Sequence, residues 1–280
     1  MFRTAPDAPT LGAMTVPQEV WRGCRAIVTG ASSGIGAAIA ERLVAAGARV
    51  VMTGRDLRAL DRVATACLDL PGEVETVAGD LTSEEVQQEV VAACRERFGG
   101  VDLLVNNAGI SMNARFADLD EEVLRQVFEV NFFAAASLTR LALPDLVASR
   151  GRIVVMSSVV GLVGTPTRSG YAASKQALHG LFEAVRVELK PQGVSVTLVC
   201  PGFVDTAVRA RALLADGTPQ GADDATGRRM MTPQKVAKVT LQAAAKRRRL
   251  VKVGMETHLA RVLSLCCPGV LERVLVRRGR

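Results

Sequence analysis

Three observations predict that this 280-residue chain is a doubly wound α/β protein, a parallel sheet with helices on both faces. Strand-length apolar runs alternate with helix-length segments from Arg25 into the 250s, as repeated strand–helix–strand units require. Hydrophobic residues make up 49% of the chain and its mean hydropathy is +0.22, which suits strands buried on both faces. A glycine-rich stretch, Thr29-Gly30-Ala31-Ser32-Ser33-Gly34-Ile35-Gly36, joins the first strand to the first helix. One undivided domain fits this length, since a parallel α/β core of this size holds together as a unit.

The first strand is the short apolar run 25–29. Helix 34–46 stops at Gly47, which lets the chain turn into strand 48–52. Helix 57–70, strand 74–78 and helix 83–98 continue the alternation, with Ser83 as an N-cap. Strand 101–105 leads to a long helix at 121–149, capped by Asp120. Strand 152–156, helix 170–190, strand 194–199, helix 233–247 and strand 250–253 complete the pattern. Two segments break it. The stretch 203–232 carries Gly217, Pro219, Gly221 and Gly227 among charged residues and reads as a partly mobile lid beside a strand end. The extension 255–280 has apolar stripes either side of Pro268-Gly269, which predicts two short amphipathic helices.

Residues 1–22 hold Pro6, Pro9, Gly12 and Pro17, lack a secretory leader's apolar run and read as a flexible arm, with Met14 an alternative start to Met1. The main domain is placed at 23–254. No stretch approaches the roughly 18 to 20 apolar residues that span a bilayer, so a cytoplasmic protein is expected. Cys24, Cys67, Cys94, Cys200, Cys266 and Cys267 form no CxxC pair and are expected reduced and mostly buried. His179 and His258 are the only histidines and no zinc-type spacing occurs, so no metal site is expected. The net charge of +7 is unevenly placed: from Lys235 onward there are twelve Lys and Arg against two acids. Aromatic residues are 4% and no nucleic-acid module is present, so nucleic acid is not an expected partner.

The chemistry centres on Tyr171 and Lys175, one helical turn apart and on one face. A free phenol titrates near ~10, and an adjacent ammonium favours the phenolate, which makes the tyrosine an acid/base group. In the glycine-rich turn, Gly30, Gly34 and Gly36 permit close backbone approach, and the helix start offers N–H groups to a pyrophosphate.

With Asn106-Asn107-Ala108-Gly109, Ser158 and Tyr-x-x-x-Lys in this order, the chain resembles the short-chain dehydrogenase/reductase family over roughly 25–253. The resemblance implies a Rossmann-type sheet of seven strands in the order 3-2-1-4-5-6-7, with NAD or NADP as cosubstrate. It implies that Gly30, Ser32, Ser33, Gly34, Ile35 and Gly36 form the phosphate turn, and that Asp80 and Leu81 flank the adenine. Asn107, Ala108 and Gly109 would line the adenosine side, and Pro201, Gly202, Val204 and Thr206 the nicotinamide half. Asp80 alternatively caps its turn. Tyr171 would be the acid/base, Lys175 would lower its pKa and hold the nicotinamide ribose, and Ser158 would polarise the carbonyl. Asn131 would hold a water in a proton relay; as alternatives, Asn131 is a satisfied core amide and Ser158 or Ser157 merely ends a strand.

The second strand is followed by Gly54 and Arg55, with no acid at Gly54 to repel a 2′-phosphate and a guanidinium able to fork onto it, so NADP(H) is expected. The alternative makes Arg55 a solvated charge and gives Asp56 the ribose role, with NAD(H). A pocket of Ile110, residues 159–163, Phe203 and the lid carries little fixed charge and suits an apolar ketone or secondary alcohol. Residues 166–171 and the lid sequence resemble the branch of the family near dehydrogenase/reductase member 7B and the 11β-hydroxysteroid dehydrogenases, which implies steroid- or lipid-like substrates. A homodimer or homotetramer is expected, because the family pairs the helices bearing Asn131 and Tyr171 and Phe132, Leu138, Leu178 and Phe182 read as their outer apolar positions. The basic extension suits peripheral membrane contact, or packing on the enzyme's own lid. A non-catalytic NAD(P)-binding sensor is the alternative function; it would have no need of the acid.

Overall fold

The computed structural model describes residues 18–221 and 230–278. Seven strands form one wholly parallel sheet in the order β3-β2-β1-β4-β5-β6-β7, as expected. β1 (Arg25–Thr29) lies between β2 (Arg49–Gly54) and β4 (Leu103–Asn106), with Ile27 in register with Val51 on one side and Leu104 on the other. β3 (Glu73–Ala78) forms one edge; β5 (Arg152–Met156), β6 (Ser195–Pro201) and β7 (Leu250–Val253) extend the other. β2 continues past the expected Met52 because Thr53 and Gly54 pair with Val77 and Ala78.

Alternate side chains of the strands enter two separate cores, which is why the strands read as unbroken apolar runs. Ala26, Val28, Val50 and Met52 pack under α2 (Gly34–Ala45) and α8 (Pro233–Ala245). Ile27, Val51, Leu104 and Val155 pack on the other face beneath α4 (Glu84–Phe98), α6 (Ala134–Ala148) and α7 (Ser169–Glu188). The first core also takes Trp21 from α1 (Gln18–Trp21), so the segment just before β1 is anchored and the flexible arm expected to reach residue 22 does not; residues 1–17 lie outside the described residues.

α3 (Leu57–Thr65) ends five residues earlier than expected, because Cys67, Leu68 and Leu70 bond three residues back in tight turns. Ser83 and Asp120 are N-caps as expected, accepting from Val86 and Glu122 N–H. The long helix is α5 (Glu121–Phe128), one π-helical turn (Glu129–Phe133) and α6. Among the described residues this 28-residue run alone is long and apolar enough to cross a membrane, contrary to the sequence expectation. Its buried Leu138, Ala142 and Leu146 face the sheet, as in a core helix. Leu138, Leu178 and Phe182 are therefore inward and not the outer positions expected; on these helices the exposed large apolar residues are Phe133 and Val187. Each helix has two faces, and spacing alone does not say which one meets the sheet.

The described part of the lid is tied down. Leu213 N–H donates to Ser111 O at 2.9 Å, Asn113 N–H to Leu213 O at 2.7 Å and Asp120 N–H to Ala215 O at 3.1 Å. Gly227 lies outside the described residues. The extension forms α9 (Met255–Cys266) and α10 (Pro268–Arg278), the two helices expected. All six cysteines are free; four are buried, while Cys266 and Cys267 are exposed.

Candidate active site

At the carboxyl ends of the strands, where the order reverses between β1 and β4, a cleft of about 1030 Å³ opens. One arm is bounded by the glycine-rich turn. Gly30 has φ of +63°, which L side chains rarely adopt, and a Cβ on Gly36 would stand 2.2 Å from Gly30 O, so the turn is held to glycine at both positions. Ser33 occupies the N-cap of α2 without making a side-chain capping bond, which leaves the first N–H groups of that helix for an anion. The cradle and those donors fit a dinucleotide pyrophosphate.

The turn is fastened to β4. Thr29 Oγ1 donates to Val105 O and accepts from Asn107 and Ala108 N–H, both at 2.9 Å. Asn107 Nδ2 donates to Thr29 O at 2.8 Å, so its amide braces the two loops. The Thr29 hydroxyl, at the head of the motif, is the joint between the turn and β4. Farther along, exposed Arg55 lines the cleft, while the Asp56 carboxylate accepts from Ala59 N–H at 3.0 Å and caps α3. Asp80 and Leu81 line the same rim, and Asp80 Oδ1 accepts from Thr82 N–H and Oγ1 at 2.9 Å each.

Where the two arms meet, Tyr171 and Lys175 share a face of α7. Ser158, after β5, lines the cleft beside Tyr171, its Oγ accepting from Val160 N–H at 3.4 Å. Ser157 also borders the cleft, but its Oγ is engaged 2.9 Å from His179 Nε2. Burial raises the Tyr171 phenol above its ordinary pKa, opposed by the neighbouring Ser158 hydroxyl and the Arg168 and Arg209 charges. Arg168 and Arg209 thus join Lys175 as positive charges near the phenol. The Lys175 ammonium donates to Met156 O at 2.9 Å and lies 5.8 Å from the Tyr171 ring centre. Burial lowers Lys175 itself to about 8.

Asn131, in the π-helical turn, is 1% exposed. Its Oδ1 accepts from Ile110 N–H at 2.8 Å, and its Nδ2 donates to Ile110 O and Ser174 Oγ, both at 3.0 Å. This amide holds the loop after β4 over Lys175. A Cβ on Gly109 would come within 2.9 Å of Asn131 Oδ1 and 3.3 Å of Lys175 Nζ.

Pro201, Gly202, Val204 and Thr206 line the cleft beyond β6, and Ile110, Val159, Val160, Val163 and Phe203 line its second arm. That arm is more charged than the sequence suggested, because Arg168, Arg209, Arg211 and Glu256 also line it. Arg168 sits three residues before Tyr171, a helical spacing that could have revealed it. The second arm is closed by Leu259 and Leu263 of α9 and Leu271 and Leu275 of α10, which no local pattern places there.

A nucleotide-sized cleft at a sheet switch point, with Ser158, Tyr171 and buried Lys175 along it, fits a nucleotide-binding oxidoreductase. The chain belongs to the short chain dehydrogenase family, whose sequence pattern matches residues 25–215. Members use NAD(H) or NADP(H). The chain is 34% identical to dehydrogenase/reductase SDR family member 7B of Bos taurus, over 92% of this chain and 82% of that protein. It is 36% identical to the Danio rerio protein of the same name, over 91% and 85%. A short-chain dehydrogenase from Streptomyces avermitilis has the same fold, with a TM-score of 0.75 and 32% identity over 91% of this chain and 97% of that one.

Proposed function

We propose that the protein is an NADP(H)-dependent oxidoreductase that interconverts a carbonyl and a secondary alcohol on an apolar substrate. The observation that carries this reading is the convergence of Ser158, Tyr171 and Lys175 on the cleft at the junction of the two arms, with Arg55 at one end and leucines at the other. The nicotinamide supplies or accepts the hydride. Ser158 Oγ and the Tyr171 hydroxyl converge on the substrate oxygen; Tyr171 gives it a proton in reduction and takes one in oxidation. With its pKa raised by burial, Tyr171 is protonated at neutral pH and ready as the acid. Lys175 would hold the ribose, and Asn131 positions the backbone above it.

Two features support NADP(H) over NAD(H). Arg55 is exposed at the cleft rim, where a 2′-phosphate gains a bidentate partner. Asp56, the alternative ribose ligand, is engaged as the α3 cap. Free, mostly buried thiols suit a reducing cytoplasm. A homodimer or homotetramer through the α5–α7 face would cover Phe133 and Val187, and the basic extension would touch a membrane surface peripherally.

The test is NADPH consumption, followed by absorbance, across aldehydes, ketones, quinones and steroids. Turnover of an apolar ketone is the expected result. Tight NADPH binding with no turnover across the panel would replace the enzyme by a dinucleotide sensor.

A further inference from the structure

We propose that the α9–α10 hairpin is a two-faced lid that docks the enzyme on an anionic lipid surface and admits an apolar substrate from that surface to Tyr171. The docking stands on the hairpin alone; only the substrate's route rests on the function proposed above.

The inner face belongs to the cleft. On α9, Glu256, Leu259, Ala260 and Leu263 recur at helical spacing and line it, as do Leu271, Val274 and Leu275 on α10. The first turn is anchored: buried Thr257 donates to Val253 O at 3.2 Å, and a Cβ on Gly202 or Gly254 would overlap the Glu256 carboxylate.

The outer face is apolar too. Val262 is 53% exposed and Leu265 65%, and Met255, Val270 and Val276 are exposed beside them. Leu259 and Val274, at the cleft, are exposed as well, so seven large apolar side chains of the hairpin meet solvent, a concentration that marks a docking surface. Exposed Arg273 and Arg277 stand one turn apart on the same hairpin. Neither is in an ion pair among the described residues, and the sequence continues with Arg278 and Arg280. Of the two acids, Glu256 is turned into the cleft, which leaves Glu272.

Charge selects the occupant. The hairpin's surplus of arginine over acid calls for an anionic occupant, and anionic headgroups attract these side chains while the apolar ones enter the acyl boundary. The same two helices then present one face to the lipid and the other to the cleft, so a membrane-dissolved ketone has a short apolar path inward.

The test is co-sedimentation of the full chain, with NADPH bound, on vesicles of phosphatidylcholine alone and of phosphatidylcholine with phosphatidylglycerol. Several-fold more protein should pellet with the anionic vesicles, and salt should release it. Arg273→Glu with Arg277→Glu should remove the preference for anionic vesicles; Leu265→Asp with Val270→Asp should weaken binding to both kinds. None of these residues lines the cleft, so NADPH affinity should be unchanged and reports correct folding. Absence of pelleting with anionic vesicles overturns the proposal. So does a dimer that the Leu265→Asp, Val270→Asp variant splits without any vesicle binding, which would assign the face to a second copy. Vesicle binding by a protein that reduces no carbonyl would leave the docking standing and remove the catalytic reading.

Discussion

The two arms of the cleft are built by different means. The nucleotide arm is made of backbone: a turn whose glycines leave no room for side chains, a capless helix start, and two loops braced by Thr29 and Asn107. Its parts lie within a few residues of strand ends. The substrate arm is made of side chains brought from the lid, α7 and the C-terminal hairpin, far apart in sequence. Backbone sites tolerate few residue types and so leave motifs; packed apolar walls tolerate many and leave only amphipathic periodicity.

The sharpest way to separate the arms is at their junction. Tyr171→Phe should lower kcat by roughly 10²- to 10⁴-fold, the span of general acid–base catalysis. NADPH affinity, measured by titration, should stay as it was. A variant that loses both would mean that the phenol serves the nucleotide arm as well. The next effect is confined to one arm. Arg55→Glu should weaken NADPH by roughly 10- to 100-fold, as expected for losing a charge-assisted phosphate contact worth about 1.5 to 3 kcal/mol. NADH binding should change little, and equal losses for the two would remove the NADP assignment.

The smallest effect is on stability and concerns the buried ammonium between the arms. Lys175 titrates at about 8 when folded against an ordinary 10.5. Below pH 8 the native state therefore holds a charge that the unfolded chain would carry more easily. Between pH 8 and 10.5 the unfolded chain binds more protons, so this penalty fades as pH rises. Lys175→Met should raise Tm by several degrees at neutral pH, on the order of 2 kcal/mol once the lost bond to Met156 O is deducted. The gain should vanish above pH 10.5; a gain that persists there would assign it to packing.

Legibility in the sequence followed the same division. All seven strands could be read, because apolar runs between glycine and capping signals define them from within. The turn at Gly30–Gly36 and the order of Ser158, Tyr171 and Lys175 were equally plain. The inward direction of Leu138, Leu178 and Phe182 was not, since each helix could turn either face to the sheet. Nor was the role of Asp56: the helix start at Leu57 was read correctly, but a carboxylate just before it suits a ribose hydroxyl as well as a cap. Arg209 reaches Tyr171 only through the fold of the lid.

The π-helical turn at Glu129–Phe133 acts as a phase corrector. An α-helix advances about 100° per residue, so residues four apart drift by about 40° and the face that begins at Val123 would have turned by about 140° at Leu146. One wider turn takes back much of that drift. Val123 and Val127 can thus serve the small core beside the lid, while Leu138, Ala142 and Leu146 serve the sheet. Deleting a single residue from that turn would leave the composition of the helix almost unchanged and rotate one half of it out of register with the other. The buried Asn131, which holds Ile110 above Lys175, sits at the point where that rotation would begin.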